Sequence, residues 1–348
     1  MSVGYRAVGW NPSKRRYDLV LAAGVALYLA LFALVSLTRH PDVTLETVLI
    51  RAFGSGALLL LHVILSIGPL CRLSPRWLPL LYNRRHLGVT MFLLALLHGG
   101  FALVQFHALG DTNPFVSVLT AETSWGRLAR LPFQPLGAAA LLILFLLAAT
   151  SHDFWLANLT APVWKSLHML VYVAWVLVLL HVAFGALQDQ LEGPLPVVLL
   201  AGLLWVGCLH LVAAQAEAGH DRERPAAAGE GWVDVCAVDS ILEGRARTVV
   251  VSGERIAVFR WDGRVAALSN VCQHQNGPLG EGRIVDGCVT CPWHGYQYRP
   301  EDGRSPPPFT EAVPTFAVRV ERGRVLVATT PCAPGTVQTP ATVPEGGA

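Results

Sequence analysis

Val271-Cys-Gln-His274-Gln-Asn-Gly277 and Cys291-Pro-Trp-His294-Gly295 decide how the C-terminal part of this 348-residue chain reads. Each run offers one thiolate and one imidazole from a short loop, and each ends on a turn-forming glycine. Two thiolates and two imidazoles from paired loops suit a [2Fe–2S] cluster with Cys272 and Cys291 on one iron and His274 and His294 on the other. A Cys2His2 zinc site uses the same residue types. Zinc fingers, however, pair Cys with Cys and His with His, whereas here each loop gives one of each. Cys288 lies three residues before Cys291, but the histidine spacing selects Cys291.

The composition divides the chain in two. It is 53% hydrophobic and only 14% charged, which does not describe one soluble domain. The apolar residues concentrate before residue 215, and the charged and Gly/Pro-rich stretches follow it. A net charge of +2 gives no reason to expect a nucleic-acid partner. The seven cysteines form no disulfide framework. Cys71, Cys208, Cys236, Cys288 and Cys332 read as reduced packing residues.

A helix needs about 20 mainly apolar residues to cross the bilayer core. Six segments meet that need, at roughly 18–37, 47–70, 87–107, 134–151, 166–187 and 194–214. The expected architecture is a six-helix α-helical membrane bundle over 18–214, preceded by a segment 1–17. The first apolar run follows Lys14-Arg15-Arg16, as a signal peptide would. It is too long for one and lacks a good cleavage site, so it reads as a retained helix. Arg6, Lys14, Arg15, Arg16, Arg72, Arg76, Arg84, Arg85 and Lys165 fall on one side; Arg39, Arg127 and Arg130 fall on the other. The positive-inside rule then puts both termini in the cytoplasm of a bacterial-type inner membrane, surrounded by lipid.

Ionisable groups at membrane depth are costly and functional by default. His62, His98, His168 and His181 all sit in apolar surroundings; for each one alone, a hydrogen-bonded packing role stands equally open. His98 lies about 18 Å along its helix from His86, and His181 about 24 Å from Lys165, at 1.5 Å per residue. Two imidazoles at similar depth on separate helices can ligate one haem axially. His168 lies near the cytoplasmic end and would serve a second haem, for which depth alone admits His86 or His62 as partner. Thirteen residues turn His168 and His181 roughly 140° apart, so periodicity does not place them on one stripe.

Arg84-Arg-His-Leu-Gly88 with His98 beyond it resembles the third helix of the ferric-reductase-like transmembrane family. Trp164-Lys-Ser-Leu-His168-Met-Leu-Val-Tyr172, followed by His181, resembles its fifth helix. The likeness covers roughly 45–190 and is nearest to the haem-binding membrane subunit of the periplasmic methionine sulfoxide reductase system. It implies b-type haem, with His98 and His181 as the outer pair and His168 on the inner side. The larger family usually carries His where this chain has Arg84. Arg84 and Arg85 would then pair with haem propionates, or act only as positive-inside anchors.

Residues 215–230 read as a polar linker. Short β-type runs follow, among them Arg247-Thr-Val-Val-Val251, Ile256-Ala-Val-Phe259 and Arg324-Val-Leu-Val327, separated by turns such as Asp262-Gly263. A small all-β domain is expected over 231–330, with a disordered Pro- and Thr-rich tail at 331–348. Gly277-Pro-Leu-Gly-Glu-Gly282 and Asp286-Gly-Cys-Val-Thr-Cys-Pro-Trp-His-Gly-Tyr-Gln-Tyr298 make this segment resemble the Rieske domains of ferredoxins that serve ring-hydroxylating oxygenases. Quinol-oxidising Rieske proteins carry an extra Cys in each loop, where this chain has Gly277 and Trp293, and a Ser where it has Tyr296. Fewer hydrogen bonds to the cluster sulfurs imply a low-potential centre.

The two halves together predict a transmembrane electron-transfer oxidoreductase component without a nicotinamide or flavin domain of its own. Gly54-Ser-Gly56 lies in an apolar helix and reads as close packing. Electrons would pass from a cytoplasmic reductase to the cluster, then to one or two b-type haems, then to a periplasmic protein or a quinone. Two alternatives stay open: a membrane-tethered ferredoxin serving a soluble oxygenase, and a redox-sensing membrane module. No acid–base catalytic set stands out.

Overall fold

Apolar stretches long enough to bury a whole helix in hydrocarbon dictate the first half of the computed structural model. It describes residues 12–120, 131–152, 154–155, 159, 161–189, 193–222, 225–274, 277–292, 295–307 and 309–344. The helices are α1 (Pro12–Arg39), α2 (Leu45–Leu73), α3 (Arg84–His107), α4 (Pro114–Thr120), α5 (Gln134–Ala149), α6 (Ala161–Phe184) and α7 (Leu195–Arg222). Thr44 caps α2, its hydroxyl accepting the Thr47 N–H at 3.3 Å. A 3-10 turn, Pro75–Asn83, joins α2 to α3.

Among the described residues, five helices are long and apolar enough to span a membrane: α1, α2, α3, α6 and α7. The sixth expected span, 134–151, is the 16-residue α5, about 24 Å long, a few ångströms under the core thickness and within what local thinning of a bilayer accommodates. Leu61, Leu65, Met91, Leu144, Leu147, Ala174 and Val206 pack α2, α3, α5, α6 and α7 into one apolar core. Residues 1–11 and the outer-loop Arg127 and Arg130 lie outside the described residues.

Alternating apolar residues and glycine turns build the second half. Its strands are β1 (Ala226–Ala227), β2 (Trp232–Ala237), β3 (Ala246–Val251), β4 (Glu254–Trp261), β5 (Arg264–Ser269), β6 (Arg283–Val285), β7 (Cys288–Thr290), β8 (Gln297–Tyr298), β9 (Thr315–Phe316), β10 (Val318–Glu321), β11 (Arg324–Ala328) and β12 (Ala341–Thr342). One sheet runs β1-β2-β11-β10 and a second β12-β5-β4-β3, with β9 also on β5. Ile256, Val258, Val265, Val325 and Val327, each fully buried, fill the space between them. A third sheet, β6-β7-β8, stands beside them. The turn at Asp262-Gly263 joins β4 to β5, and that at Asp286-Gly287 joins β6 to β7. All four residues have positive φ, the two-residue hairpin geometry that glycine at the second position permits.

Two boundaries differ from expectation. The expected linker 215–230 is helical through Arg222 and then supplies β1, because Ala213-Ala-Gln-Ala-Glu-Ala218 has high helix propensity. The tail expected to be disordered is instead folded as far as it is described. Cys332 N–H donates to Thr315 O at 2.7 Å, Gly335 N–H to Asp302 O at 2.9 Å, and β12 pairs with β5. The open backbone edge of β5 supplies partners that tail composition does not reveal.

The halves meet at a charged seam. Glu217 of α7 pairs with Arg255 of β4 at 2.6 Å. Beside them Glu281, in the turn Leu279–Glu281, lies within electrostatic reach of Arg72, Glu217, Arg84 and Arg255. Burial pushes its carboxyl from 4.5 up to about 7, with the three arginines opposing and Glu217 reinforcing the shift. The cost of holding this carboxylate ionised is absent below about pH 4.5, grows as pH rises toward 7, and is full above it, on the order of 3 kcal/mol. Glu281→Gln should therefore raise the thermal midpoint of the purified protein by several degrees at pH 8 and leave it unchanged at pH 4. Equal midpoints at both pH values would refute this account of the seam.

Candidate metal centre and intramembrane histidines

The third sheet and the end of β5 present the two ligand loops. Cys272 N–H donates to Gly277 O at 2.9 Å and Val271 bridges Pro278, closing the first loop at its base. Cys291 N–H donates to Tyr296 O at 2.7 Å and Gly295 N–H to Cys291 O at 3.0 Å, closing the second between β7 and β8. Both cysteines are about 1% exposed and pack in the same apolar cluster. His274 stacks on Tyr296, with ring centroids 4.8 Å apart and planes 8° from parallel. Tyr296 in turn donates to the Glu311 carboxylate. His294 lies outside the described residues. Cys288 stands on β7 with a thiol pushed up by burial, as a packing residue should be.

Tyr298 stands beside the first loop, where motif spacing gives no sign of it. Its fully buried hydroxyl lies 3.4 Å from Cys272 Sγ and accepts the Gln273 N–H at 2.9 Å. With its oxygen already accepting, the Tyr298 proton is free to point at the sulfur. Burial and the neighbouring Cys272 raise its pKa, so it stays a donor. Two buried sulfurs, an imidazole from the same loop and a hydroxyl beside one sulfur are the donor types a two-iron cluster takes, although among the described residues no three such side chains are gathered as a metal site.

In the membrane half, His98 of α3 and His181 of α6 face each other with ring centroids 6.0 Å apart and planes 82° apart. His98 Nδ1 lies 2.9 Å from Ile50 O, and His181 Nδ1 lies 2.9 Å from Phe133 O. A carbonyl only accepts, so each Nδ1 carries the proton and Nε2 keeps the lone pair. Were haem bound between them, His98 and His181 would hold its iron through those Nε2 lone pairs, and the iron would supply a one-electron carrier there.

The other histidines are placed differently. His62 uses both nitrogens, Nδ1 at 2.8 Å from Leu58 O and Nε2 accepting from Trp175 Nε1 at 3.4 Å. Its Nε2 therefore faces Trp175 of α6 rather than a second histidine. His86 Nδ1 lies 2.5 Å from Asp18 of α1, an attachment that depth could not reveal. His168 stacks on Trp164 with centroids 3.7 Å apart, its Nδ1 3.0 Å from Trp164 O and its Nε2 3.5 Å from Ser151 Oγ. Arg84 and Arg85 both lie within electrostatic reach of His168.

Comparison with known proteins assigns both halves. Residues 231–317 match the Rieske [2Fe-2S] domain, and residues 51–179 match the ferric reductase-like transmembrane component. The ferredoxin component of an alkene monooxygenase system from Xanthobacter autotrophicus is 35% identical over 101 residues, which are 29% of this chain and 83% of that protein. The ferredoxin component of naphthalene 1,2-dioxygenase from Pseudomonas putida is 28% identical over 28% of this chain and 93% of its own length. Cholesterol 7-desaturase of Xenopus laevis is 34% identical over 27% of this chain, but the match spans only 22% of that enzyme. A structure of the reduced oxygenase with oxidised ferredoxin in carbazole 1,9a-dioxygenase matches at 28% identity with a TM-score of 0.28, over 30% of this chain and 99% of that one.

The chain therefore belongs to the iron–sulfur electron-transfer proteins that carry a Rieske [2Fe–2S] domain. More particularly, it joins such a domain to a ferric reductase-like transmembrane component, making a multi-pass membrane redox protein.

Hydrogen bonds to a ligand sulfur favour the reduced, more negative cluster. A difference of about 1 kcal/mol corresponds to roughly 40 mV for a one-electron couple. Tyr298→Phe should lower the cluster midpoint by about that amount in a redox titration followed by EPR; an unchanged midpoint would remove Tyr298 from the cluster's tuning.

Proposed function

We propose that this protein carries electrons from a cytoplasmic reductase, through its [2Fe–2S] cluster, into b-type haem within the membrane, and on to a periplasmic protein or a quinone. The observation that supports it most is the opposed pair His98 and His181, each with Nδ1 tied to a backbone carbonyl. Haem bound there supplies a one-electron carrier inside the hydrocarbon. Cys272, His274, Cys291 and His294 hold the cluster as the inlet, and their loops offer it to a soluble donor. The Glu217–Arg255 pair is one contact between this inlet and the helix ends. In this reading both termini and the cluster domain are cytoplasmic, at a bacterial-type inner membrane, and the charged ends of α3, with Arg84 and Arg85, stay on that face. His168 with Arg84 and Arg85 marks the inner side, where the guanidiniums suit haem propionates.

A second reading is favoured by the ferredoxin components among the relatives: the helices only anchor a Rieske ferredoxin that serves a soluble oxygenase. Absorbance and EPR of the purified protein separate the two. Low-spin bis-histidine haem is expected beside the cluster signal, with loss of that haem in His98→Ala and in His181→Ala. Vesicles given cytoplasmic-side reductant should also reduce an external acceptor. Cluster without haem in the wild-type protein would leave the tethered ferredoxin standing instead.

A further inference from the structure

The two opposed histidines are held by one device that the chain contains twice. His98 lies against Gly54 of α2, and its Nδ1 reaches the carbonyl of Ile50, one turn before that glycine. His181 lies against Gly137 of α5, and its Nδ1 reaches the carbonyl of Phe133, again one turn before. Carbonyl and histidine are 48 residues apart in both cases. Each member of the second set stands 83 positions after its counterpart: 50 to 133, 54 to 137, 98 to 181. The same shift carries buried Ala57 onto buried Ala140, Leu61 onto Leu144 and Met91 onto Ala174. The correspondence therefore runs through the packed core of α2–α3 and α5–α6.

The glycines are what allow the approach. A Cβ on Gly54 would fall 2.7 Å from His98 Nδ1, and one on Gly137 would fall 2.6 Å from His181 Nδ1. Both are inside the contact distance of carbon and nitrogen, so any other residue must push the ring away. The Phe133 carbonyl also receives its own helix's Gly137 N–H at 3.2 Å, and so uses both of its lone pairs.

We propose that Gly54 and Gly137 are positioning residues for the axial ligands, each opening a notch through which one imidazole reaches a backbone carbonyl that sets its tautomer and ring plane. This rests on the reading of His98 and His181 as a haem pair, and adds to it what orients them. Outer-shell partners of ligating histidines commonly govern retention of the metal group. Here that partner is main chain, and only the glycine side of the contact can be altered by substitution.

The test uses the full-length protein in detergent, with haem and reduced-cluster EPR read on the same sample. The wild type should give a strongly anisotropic low-spin ferric signal, as nearly perpendicular neutral imidazoles do. Gly54→Ala and Gly137→Ala should each lose that low-spin signal and hold haem roughly tenfold or more weakly, with the cluster signal retained. Gly202→Ala serves as control, because its Cβ would crowd His62 Nε2 in the same way; it should keep the low-spin signal. If both glycine variants keep wild-type haem spectra while His98→Ala abolishes them, the positioning role is wrong and the haem pair stands. A wild-type protein without low-spin haem overturns both. Should the alanine variants fail to accumulate, proton ENDOR on the wild type decides. A hydrogen-bonded Nδ1 proton on each axial imidazole supports the proposal, and an imidazolate signature overturns it.

Discussion

An imidazole in a hydrocarbon slab needs a fixed acceptor for its proton, or its polarity becomes a burden on the fold. The membrane half is organised around that requirement. His98, His181, His62, His168 and His210 each aim Nδ1 at a main-chain carbonyl within 3.0 Å. The consequences then differ with the side on which the carbonyl lies. His62, His168 and His210 bond back to the residue four positions earlier on their own helix, so the ring stays close to that helix. His98 and His181 bond to a neighbouring helix, which swings both rings into the space between helices, where they meet.

The β half applies the same economy to sulfur. Two cysteines are buried almost completely, and the backbone closes each loop behind its thiol before any side chain is involved. Aromatic residues then complete the surroundings: Tyr298 against Cys272, and Tyr296 against His274. Tyr296 also packs edge-on to Phe309 at 5.0 Å between centroids. Val271 and Phe309 beside these loops remain exposed.

Much of this was legible in the residues alone, for identifiable reasons. Apolar length exposes a spanning helix directly, and the C-x-H and C-x-x-H runs carry their chemistry in their spacing. Depth along a helix likewise paired His98 with His181. Direction around a helix did not follow from depth, so His62 and His86 looked equivalent to ligands until their partners, Trp175 and Asp18, were in place. Gly54 stood out as a packing glycine, but its partner is on another helix, 44 positions later. Tyr298 was read as part of a family pattern, since its contact with Cys272 depends on how β8 returns beneath the first loop. The tail misled because Pro, Thr and Gly describe flexibility only when no strand edge is waiting.

That edge has a consequence for how the cluster domain meets other proteins. β5 is paired with β4 along one side, while β12 covers Arg264 and Val265 and β9 covers Ala267 and Leu268 on the other. The strand that runs straight into Cys272 thus has no free backbone face to lend. A visiting protein cannot bind there by extending the sheet. Recognition beside the cluster is left to side chains, and so to surfaces that can tell one redox partner from another.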